Sequence, residues 1–390
     1  MKQFETIIVG GGASGLMCAI FASEKGKKVC VLEADVKVGK KILVSGNGRC
    51  NFSNKFFTQT SYNQNIDKFL NRFNTNNVVE FFDSIGLTSS ADEEGRLYPT
   101  SNLSSSVLDV MLNKLINNNV EILTQTKVES IIKNNNGYLL ETTNGQFGCK
   151  NVVIACGNAV TSKMFSELNL DFVELTKSLC ALKVSNKVNE LNGIRLSNVK
   201  VSIKVNDFSY SEVGELLFKD QGLSGICIMN LSALLARQKQ HKAQVVVNML
   251  PDLTQLQLIK TLKSRQQNLK NLVASKFFVG WFHKNIGYEL LKRVNISNEK
   301  SVAAFTDADI NNLAQVMQNL TFNVVGVYDN NQVYSGGVKL TELDNNLQSL
   351  KHKNFYVCGE ACNVDGLCGG YNLQWAWTSG KIVGETIAND

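Results

Sequence analysis

Proline is almost absent from this chain. Pro99 and Pro251 are the only two in 390 residues, so no proline-rich linker divides it. The many Asn and Lys residues alongside so few prolines fit a biased codon usage. Histidine is nearly as scarce: His241, His283 and His352 are the whole set, and none lies in a glycine-rich motif. His283 sits among aromatic residues and reads as a packed side chain, because core-like surroundings disfavour its charge. Ten cysteines are too sparse for a disulfide scaffold in a chain of this length. Cys30 and Cys156 lie in apolar strand patterns and read as buried free thiols in a reducing compartment. Cys358, Cys362 and Cys368 have neither C-x-x-C spacing nor a neighbouring histidine, which argues against a metal site. Long apolar runs are also missing. Phe277-Phe278-Val279-Gly280-Trp281-Phe282, between Lys276 and His283, is far too short to span a bilayer. After Lys2 the chain enters a strand, without an apolar signal region or cleavage site, so a cytoplasmic location is expected. No internal repeat and no low-complexity linker is visible.

What remains is the composition of a globular enzyme large enough for two or three domains, with 44% hydrophobic and 19% charged residues. The net charge of +6 and the isoelectric point near 8.7 suit anionic partners such as nucleotides or RNA. A solvated lysine-rich surface explains the same numbers.

The opening segment is the most informative. Thr6-Ile7-Ile8-Val9 is an apolar strand, a glycine turn follows, and a helix is expected from about Ser14 to Lys25, stopped by Gly26. Val29-Cys30-Val31-Leu32 is a second buried strand, which completes a parallel β-α-β unit. Within its turn, Gly10-Gly11-Gly12-Ala13-Ser14-Gly15 fits G-x-G-x-x-G, a weak signal alone. Here it follows a strand, opens a helix and has Glu33 at the end of the next strand, which is the full dinucleotide-binding fingerprint. Gly10 permits the tight turn, Gly12 lets a pyrophosphate approach, and Gly15 lets helix and sheet pack closely. Backbone N–H groups at the helix start, Ala13 and Ser14 among them, then stabilise the diphosphate. Glu33 is placed to accept from the adenosine ribose and disfavours the 2′-phosphate of NADP. The fingerprint leaves FAD and NAD both open.

Further along, Phe69 to Phe82 and Ser104 to Asn118 look helical, with Leu103-Ser104-Ser105-Ser106 supplying cap candidates for the second. Val120 to Ile154 reads as strands, with a hairpin turn at Asn136-Gly137 and another at Thr143-Asn144-Gly145. Residues 172 to 250 alternate as strands do. From Asp252 to Leu320 the pattern is helical, with Asp252 and Thr306 as N-caps. Strands return near Val324 to Val338. Phe355-Tyr356-Val357-Cys358-Gly359 is a last buried strand and Asn372 to Ile387 a last helix. The expected fold is α/β, a Rossmann-type nucleotide domain (1–170 and 335–390) interrupted by a β-rich domain (171–250 and 321–334) and a small helical one (251–320).

Three segments favour FAD. The first runs from Gly39 through Lys40, Lys41, Ser45, Gly46, Asn47, Gly48, Arg49 and Cys50 to Asn51. This second glycine- and cation-rich loop suits a long diphosphate and a flavin edge, though lysines on a surface loop read similarly. The second is the strand ending at Gly359 with Glu360 and Asp365 beyond it, where Asp365 can meet ribityl hydroxyls. The third is Gly369-Gly370-Tyr371-Asn372-Leu373-Gln374 at the start of the last helix. N–H groups there suit the anion formed on a reduced flavin. An NAD-only dehydrogenase needs no such return late in the chain.

At these residues the chain resembles the BaiN/YhiN-like FAD-dependent oxidoreductases, also called aminoacetone-oxidase-like flavoproteins. The matching stretches are Ile7 to Met17, Gly39 to Asn54, Glu94-Gly95-Arg96-Leu97-Tyr98-Pro99, Gly214-Glu215-Leu216-Leu217-Phe218, Gly222-Leu223-Ser224-Gly225 and Asp365 to Gly380. They run from one end of the chain to the other. The resemblance implies a split FAD domain with a β-rich and a helical insertion. It also implies FAD contacts from Gly12 to Ser14, Glu33, Lys41, Ser45 to Asn51, Asp365, Tyr371 to Leu373, and the backbone of Val128 at the adenine. The chain departs from the family after its core strand. Cys156-Gly157-Asn158-Ala159-Val160 replaces a longer loop and leads directly to a helix, so substrates of relatives transfer poorly.

Hydride transfer belongs to the flavin, and the protein positions the substrate. No second G-x-G-x-x-G follows residue 150, so a dedicated NAD(P)H domain is not expected. The flavin must be reduced by a transiently docked nicotinamide, another donor or the substrate. Arg49, Cys50 and Tyr371 are the candidate catalytic residues, with packing the stronger reading for Cys50. The resemblance implies reduction of an activated C=C bond or oxidation of a small substrate. Reduction of uridine in ribosomal RNA and flavin binding without turnover are the alternatives. Nothing in the sequence gives an oligomeric state.

Overall fold

A computed structural model describes residues 2–58, 60–159, 168–205, 208–240, 242–329 and 331–390. His241 and the helix expected directly after Ala159 lie outside the described residues. The chain forms two compact units, residues 1–176 with 332–390 and residues 177–331.

The first unit is built on a seven-stranded sheet. Its parallel part runs Glu121–Leu123, Val29–Leu32 (β2), Lys2–Val9 (β1), Gly145–Ile154 and Phe355–Val357. The strands Val128–Asn134 and Gly137–Thr142 extend it antiparallel. Its central strands are buried on both faces: Ile7, Ile8, Cys30, Val31, Val152, Val153, Ile154 and Val357 have almost no exposure. That is why they read as continuous apolar runs. The register aligns Val9 with Leu32 and Ile154, and Ile154 with Val357. Four strands therefore stop at one level, and the residues that follow them share one edge of the sheet.

The helix α1 spans Ala13–Ala22, shorter than expected, because Lys25 and Gly26 both take positive φ and the chain leaves the helix before them. It lies parallel to the last helix, Tyr371–Asn389, at backbone contact. A Cβ on Gly380 would sit 2.4 Å from Ser14 O, and one on Gly384 2.6 Å from Cys18 O. Any side chain at either position forces the helices apart. A small three-stranded sheet, Ser53–Asn54, Arg96–Pro99 and Ser89–Ala91, completes the unit.

The second unit is a closed barrel. Its strands Leu182–Val184, Gly222–Ser224, Phe208–Lys219, Arg195–Val205, Ala243–Asn248 and Leu320–Val327 follow one another round the barrel in that order. Helices Gln255–Asn268, Lys284–Arg293 and Asp307–Gln318 bury Leu258, Leu262, Leu290, Ile310 and Leu313 in the same apolar cluster as the barrel's Val201, Val245 and Phe322. The helical segment thus belongs to this unit.

Several sequence expectations need correction. The stretch read as alternating strands contains the helix Ile226–Arg237, which buries Cys227, Ile228, Leu231 and Leu235 at helical spacing. Residues Phe69 to Phe82 split into two helices, because the Asn74 side chain caps the second from Asn77 N. Thr254, not Asp252, caps the next long helix through a reciprocal pair with Gln257. Thr306 does cap its helix, with Asp309. No side chain caps Ser104–Asn117, and Ser104 Oγ donates to Leu43 O instead. The first hairpin turns at Asn135-Asn136, with Asn134 paired to Gly137. Among the described residues no helix is long and apolar enough to cross a membrane.

The glycine crossing gives a prediction. Gly380→Val should lower the unfolding free energy by about 1–3 kcal/mol, the usual cost of overpacking a core, and release flavin on mild heating. A melting curve identical to the parent's would show that the two helices do not need backbone contact.

Candidate functional site

Residues that follow the aligned strands form the first half of the site. Gly10 follows β1, with its N–H bonded to Leu32 O at 2.8 Å. Its φ is +107°, and a Cβ there would lie 2.6 Å from the Cys156 backbone. Gly15 is held as closely, since its Cβ would meet Gly10 O at 2.0 Å. Gly12, the residue before α1, faces open space, and no side chain caps the helix. The first-turn N–H groups of Ala13, Ser14 and Gly15 thus border a spot that no side chain caps, where an anion could bind.

Glu33 follows β2. Its carboxylate accepts from Gly11 N at 2.7 Å and from Asp35 N at 2.8 Å, which fixes the acid beside the glycine turn. Thr126 N bonds to Glu33 O and Gln125 N to Asp35 O, which brings Val128 to the same side. Gly157 and Gly359 follow the other two strands. Gly359 N donates to Ser379 Oγ and the Trp375 indole donates to Gly359 O, each at 2.9 Å. This short turn is therefore fastened to the last helix and lies against Ser14, whose Oγ a Cβ on Gly359 would meet at 2.2 Å.

The second half is the start of the last helix, where Gly370 is the N-cap and no side chain caps the first turn. Three asparagines hold the loop in front of it. Asn372 Oδ1 accepts from Gly366 N and its Nδ2 donates to Gly366 O, both at 2.9 Å. Asn54 Nδ2 donates to Gly369 O at 2.9 Å. Asn51, its amide turned to suit both neighbours, donates to Ser53 O at 2.8 Å and accepts from Gly370 N at 3.1 Å. Asp365 is buried, with Oδ1 accepting from Ser335 Oγ at 2.9 Å and its N–H bonded to Asn63. Because the Asn372 side chain is engaged by the loop, this part of the chain offers a ligand chiefly backbone N–H groups.

The helix crossing sets the distance between the halves. Ser14 meets Gly380, nine residues after Tyr371, and the helices are parallel. Ser14 is itself one residue into α1, so at about 1.5 Å per residue the last helix begins about 12 Å beyond the start of α1. Each helix thus presents a positive end without a capping side chain, which suits an anionic group. The donor set is one that could hold FAD, with Gly10 to Gly15 for its diphosphate, Glu33 for the adenosine ribose, Asp365 for the ribityl chain and the backbone of Tyr371 to Leu373 for the ring, while the Gly370 N–H is taken by Asn51.

The remaining expected contacts have other partners in this structure. Lys41 pairs with Glu360, and Lys40 with Asp35 at 2.8 Å. Ser45 Oγ donates to Ile42 O at 2.7 Å. Gly46, Asn47, Gly48 and Cys50 all have positive φ, so the loop is a left-handed turn that brings Arg49 over the Tyr98 ring, 4.5 Å from its centroid. Cys50 is fully buried, and burial pushes its thiol up to about 11. Tyr371 is half-buried, with its OH donating to Phe56 O at 3.0 Å and its ring edge-on to Phe57 and Tyr62.

Sequence reasoning missed the supports. Glu360 accepts from Tyr334 N at 2.7 Å and pairs with Lys41. Gln374 is completely buried, where it joins Ser53 Oγ at 2.6 Å and Phe73 O at 3.1 Å. Trp377 donates to Phe52 O at 2.9 Å. For Gln374 and Trp377, their place in Tyr371-Asn372-Leu373-Gln374-Trp375-Ala376-Trp377 was the available signal, but no spacing rule says which side chains brace and which bind.

Two measurements follow. Glu33→Ala should hold FAD roughly tenfold or more weaker in dilution, since hydrogen bonds to a charged group are worth about 1.5–3 kcal/mol; unchanged occupancy would remove Glu33 from the ribose. In the folded protein at neutral pH, iodoacetamide should label half-exposed Cys368 well before Cys50. Peptide mapping that finds Cys50 modified first would mean the Gly46–Asn51 loop is open.

Comparison with known proteins agrees with this arrangement. A 3-dehydro-bile acid delta(4,6)-reductase of Clostridium scindens is 29% identical over 402 residues, covering 98% of each chain. A ribosomal RNA dihydrouridine synthase of Escherichia coli K12 is 27% identical over 409 residues, covering 97% of this chain and 96% of the other. The fold is that of 3-ketosteroid delta1-dehydrogenase from Sterolibacterium denitrificans, solved with 1,4-androstadiene-3,17-dione; the TM-score is 0.51 over 100% of both chains at 12% identity. The family model described as HI0933-like protein Rossmann domain matches residues 4–386. The chain belongs to that family of FAD-dependent oxidoreductases, and FAD is its cofactor.

Proposed function

We propose that this protein reduces a carbon–carbon double bond conjugated to a carbonyl. The observation that carries the proposal is the uncapped start of the last helix, held open by Asn51, Asn54 and Asn372. A positive helix end there stabilises negative charge on the reduced cofactor. FAD supplies the hydride, which goes to the carbon β to the carbonyl; a proton then goes to the α carbon. Both curated relatives are named for adding hydrogen across such a bond, one in a bile acid and one in a uracil ring.

The chain's own residues orient the substrate and deliver the proton. Among Arg49, Cys50 and Tyr371, the tyrosine is the best proton source. It is half-buried at the head of the helix, whereas Cys50 is sealed in the core and Arg49 covers Tyr98. A nicotinamide docking transiently, or another external donor, would supply the electrons.

One observation favours RNA over a small enone as the substrate. The second unit carries 19 Lys and Arg against 11 Asp and Glu, while the first carries 21 against 23. The net positive charge of the protein thus lies on the unit without the nucleotide turn, which suits a polyanionic substrate.

The reaction is tested by anaerobic mixing. The reduced protein should be reoxidised by a cyclic enone or a uridine-containing oligonucleotide, the latter gaining two hydrogens by mass, and not by the saturated ketone. Amines that bleach the oxidised protein while enones leave the reduced form unchanged would replace this proposal with an oxidase. Tyr371→Phe should slow reoxidation about 10²–10⁴-fold, the usual contribution of a positioned acid, with FAD retained.

A further inference from the structure

The apolar run around Trp281 has no part in the cofactor site, and its setting is unusual. Residues 260–300 contain nine Lys and Arg against two acids, Glu289 and Glu299. Some of these cations are neutralised: Lys263 by Asp307, Arg293 by Glu289 and Lys300 by Asp309, each at 2.7 Å. Lys260, Lys270, Lys276, Lys284 and Lys292 are exposed and have no carboxylate partner among the described residues. Within this basic stretch, the chain doubles back through a tight turn in which Trp281 N and Phe282 N both bond to Phe278 O. Lys276 and Lys284 flank it.

The turn is rigid from within. Arg265 reaches the carbonyls of Phe277 and Val279 and lies over the rings of Phe277 and Trp281, at 5.8 and 5.6 Å from their centroids. Phe277 and Phe278 are buried beneath. Trp281 and Phe282 stack on each other at 5.3 Å with 16° between their planes and stay half-exposed. Val279 is 56% exposed, and Gly280 beside it faces open space. An aromatic stack covered by a half-buried arginine, with the exposed Lys276 and Lys284 on either side of its turn, is not a core feature. It is the combination that binds single strands: cations for the phosphates and flat faces for unstacked bases.

We infer that the turn Phe277–Lys284, with Lys276 and the neighbouring lysines, is a docking surface for single-stranded RNA. The inference rests on the RNA reading of the substrate but concerns binding alone. The stack supplies no base-edge code, so affinity is expected to be insensitive to sequence and strongly sensitive to salt.

The test is fluorescence anisotropy of the FAD-loaded protein with a labelled oligouridylate of about 20 nucleotides, longer than one stacking groove covers. Binding should weaken as KCl rises. K276E/K284E, both at exposed positions, should lose about tenfold or more in affinity. Its salt slope should flatten by about 1.4, at about 0.7 per phosphate contact on a single strand. Trp281→Phe keeps a stackable ring and should bind nearly as the parent, while removing the tryptophan emission that RNA quenches. Lys204→Glu, an exposed charge reversal on the barrel, is the control and should change affinity less than twofold. Equal affinity and slope for K276E/K284E and the parent would overturn the inference. So would an equal loss in Lys204→Glu, or binding to phosphatidylglycerol vesicles without binding to the oligouridylate. A protein that binds RNA through this turn yet never reduces uridine would sink the substrate reading and leave the docking surface standing.

Discussion

Two glycines on the last helix set how closely it packs against α1. Gly380 and Gly384 let that helix run against the α1 backbone, with Ser14 O and Cys18 O where side chains would otherwise be. Contact at this range fixes the axial offset of two parallel helices, and with it the spacing of their positive ends. The Gly359 turn adds a third element to the same junction, because Ser379 and Trp375 bind its backbone from the last helix. A separation of the helices by one methyl group would disturb the diphosphate turn, the Gly359 turn and the helix start together. The family motif from Gly370 to Trp377 therefore serves architecture as much as binding.

Two kinds of support surround this junction. At the sheet edge, the strands end in register, so turns distant in sequence meet through backbone geometry alone. At the helix start, buried polar side chains take over: Gln374, Ser53, Thr75 and Thr378 form one hydrogen-bonded group under the loop that Asn51, Asn54 and Asn372 hold in front of the helix. Such a network stabilises a single arrangement because any half-satisfied alternative leaves a buried polar group unpaired. The region that must stay fixed while a flavin changes charge is thus the one with the most polar bracing. The barrel unit has no comparable network among its described residues, and its features are a shared apolar core and a basic exterior.

Much of the first unit was legible in the chain. The β-α-β unit, the glycine turn and Glu33 announce themselves because each is a local feature: an apolar strand, glycines at fixed offsets, and an acid one strand later. The helix Ile226–Arg237 was missed because its neighbours on both sides alternate as strands do, and Ile, Cys and Met within it suit either element. The cap at Thr254 was misplaced by two residues because Asp252 is an equally good cap in isolation; only the reciprocal bond with Gln257 distinguishes them. The resemblance implied an FAD contact for Lys41, and the structure adds a partner far along the chain, Glu360, that residue spacing could not give.

The sequence alone determined the class of cofactor, since glycine spacing and an acid after the second strand are dictated by backbone sterics and the charge of a diphosphate. It also pointed to a return of the chain to the first unit at its last helix, which packs against α1. Only the tertiary structure decided which side chains face the ligand and which brace one another. A hydrogen bond between Asn54 and Gly369, or between Trp375 and Gly359, depends on segments brought together by packing. Residue type and spacing carry no record of that.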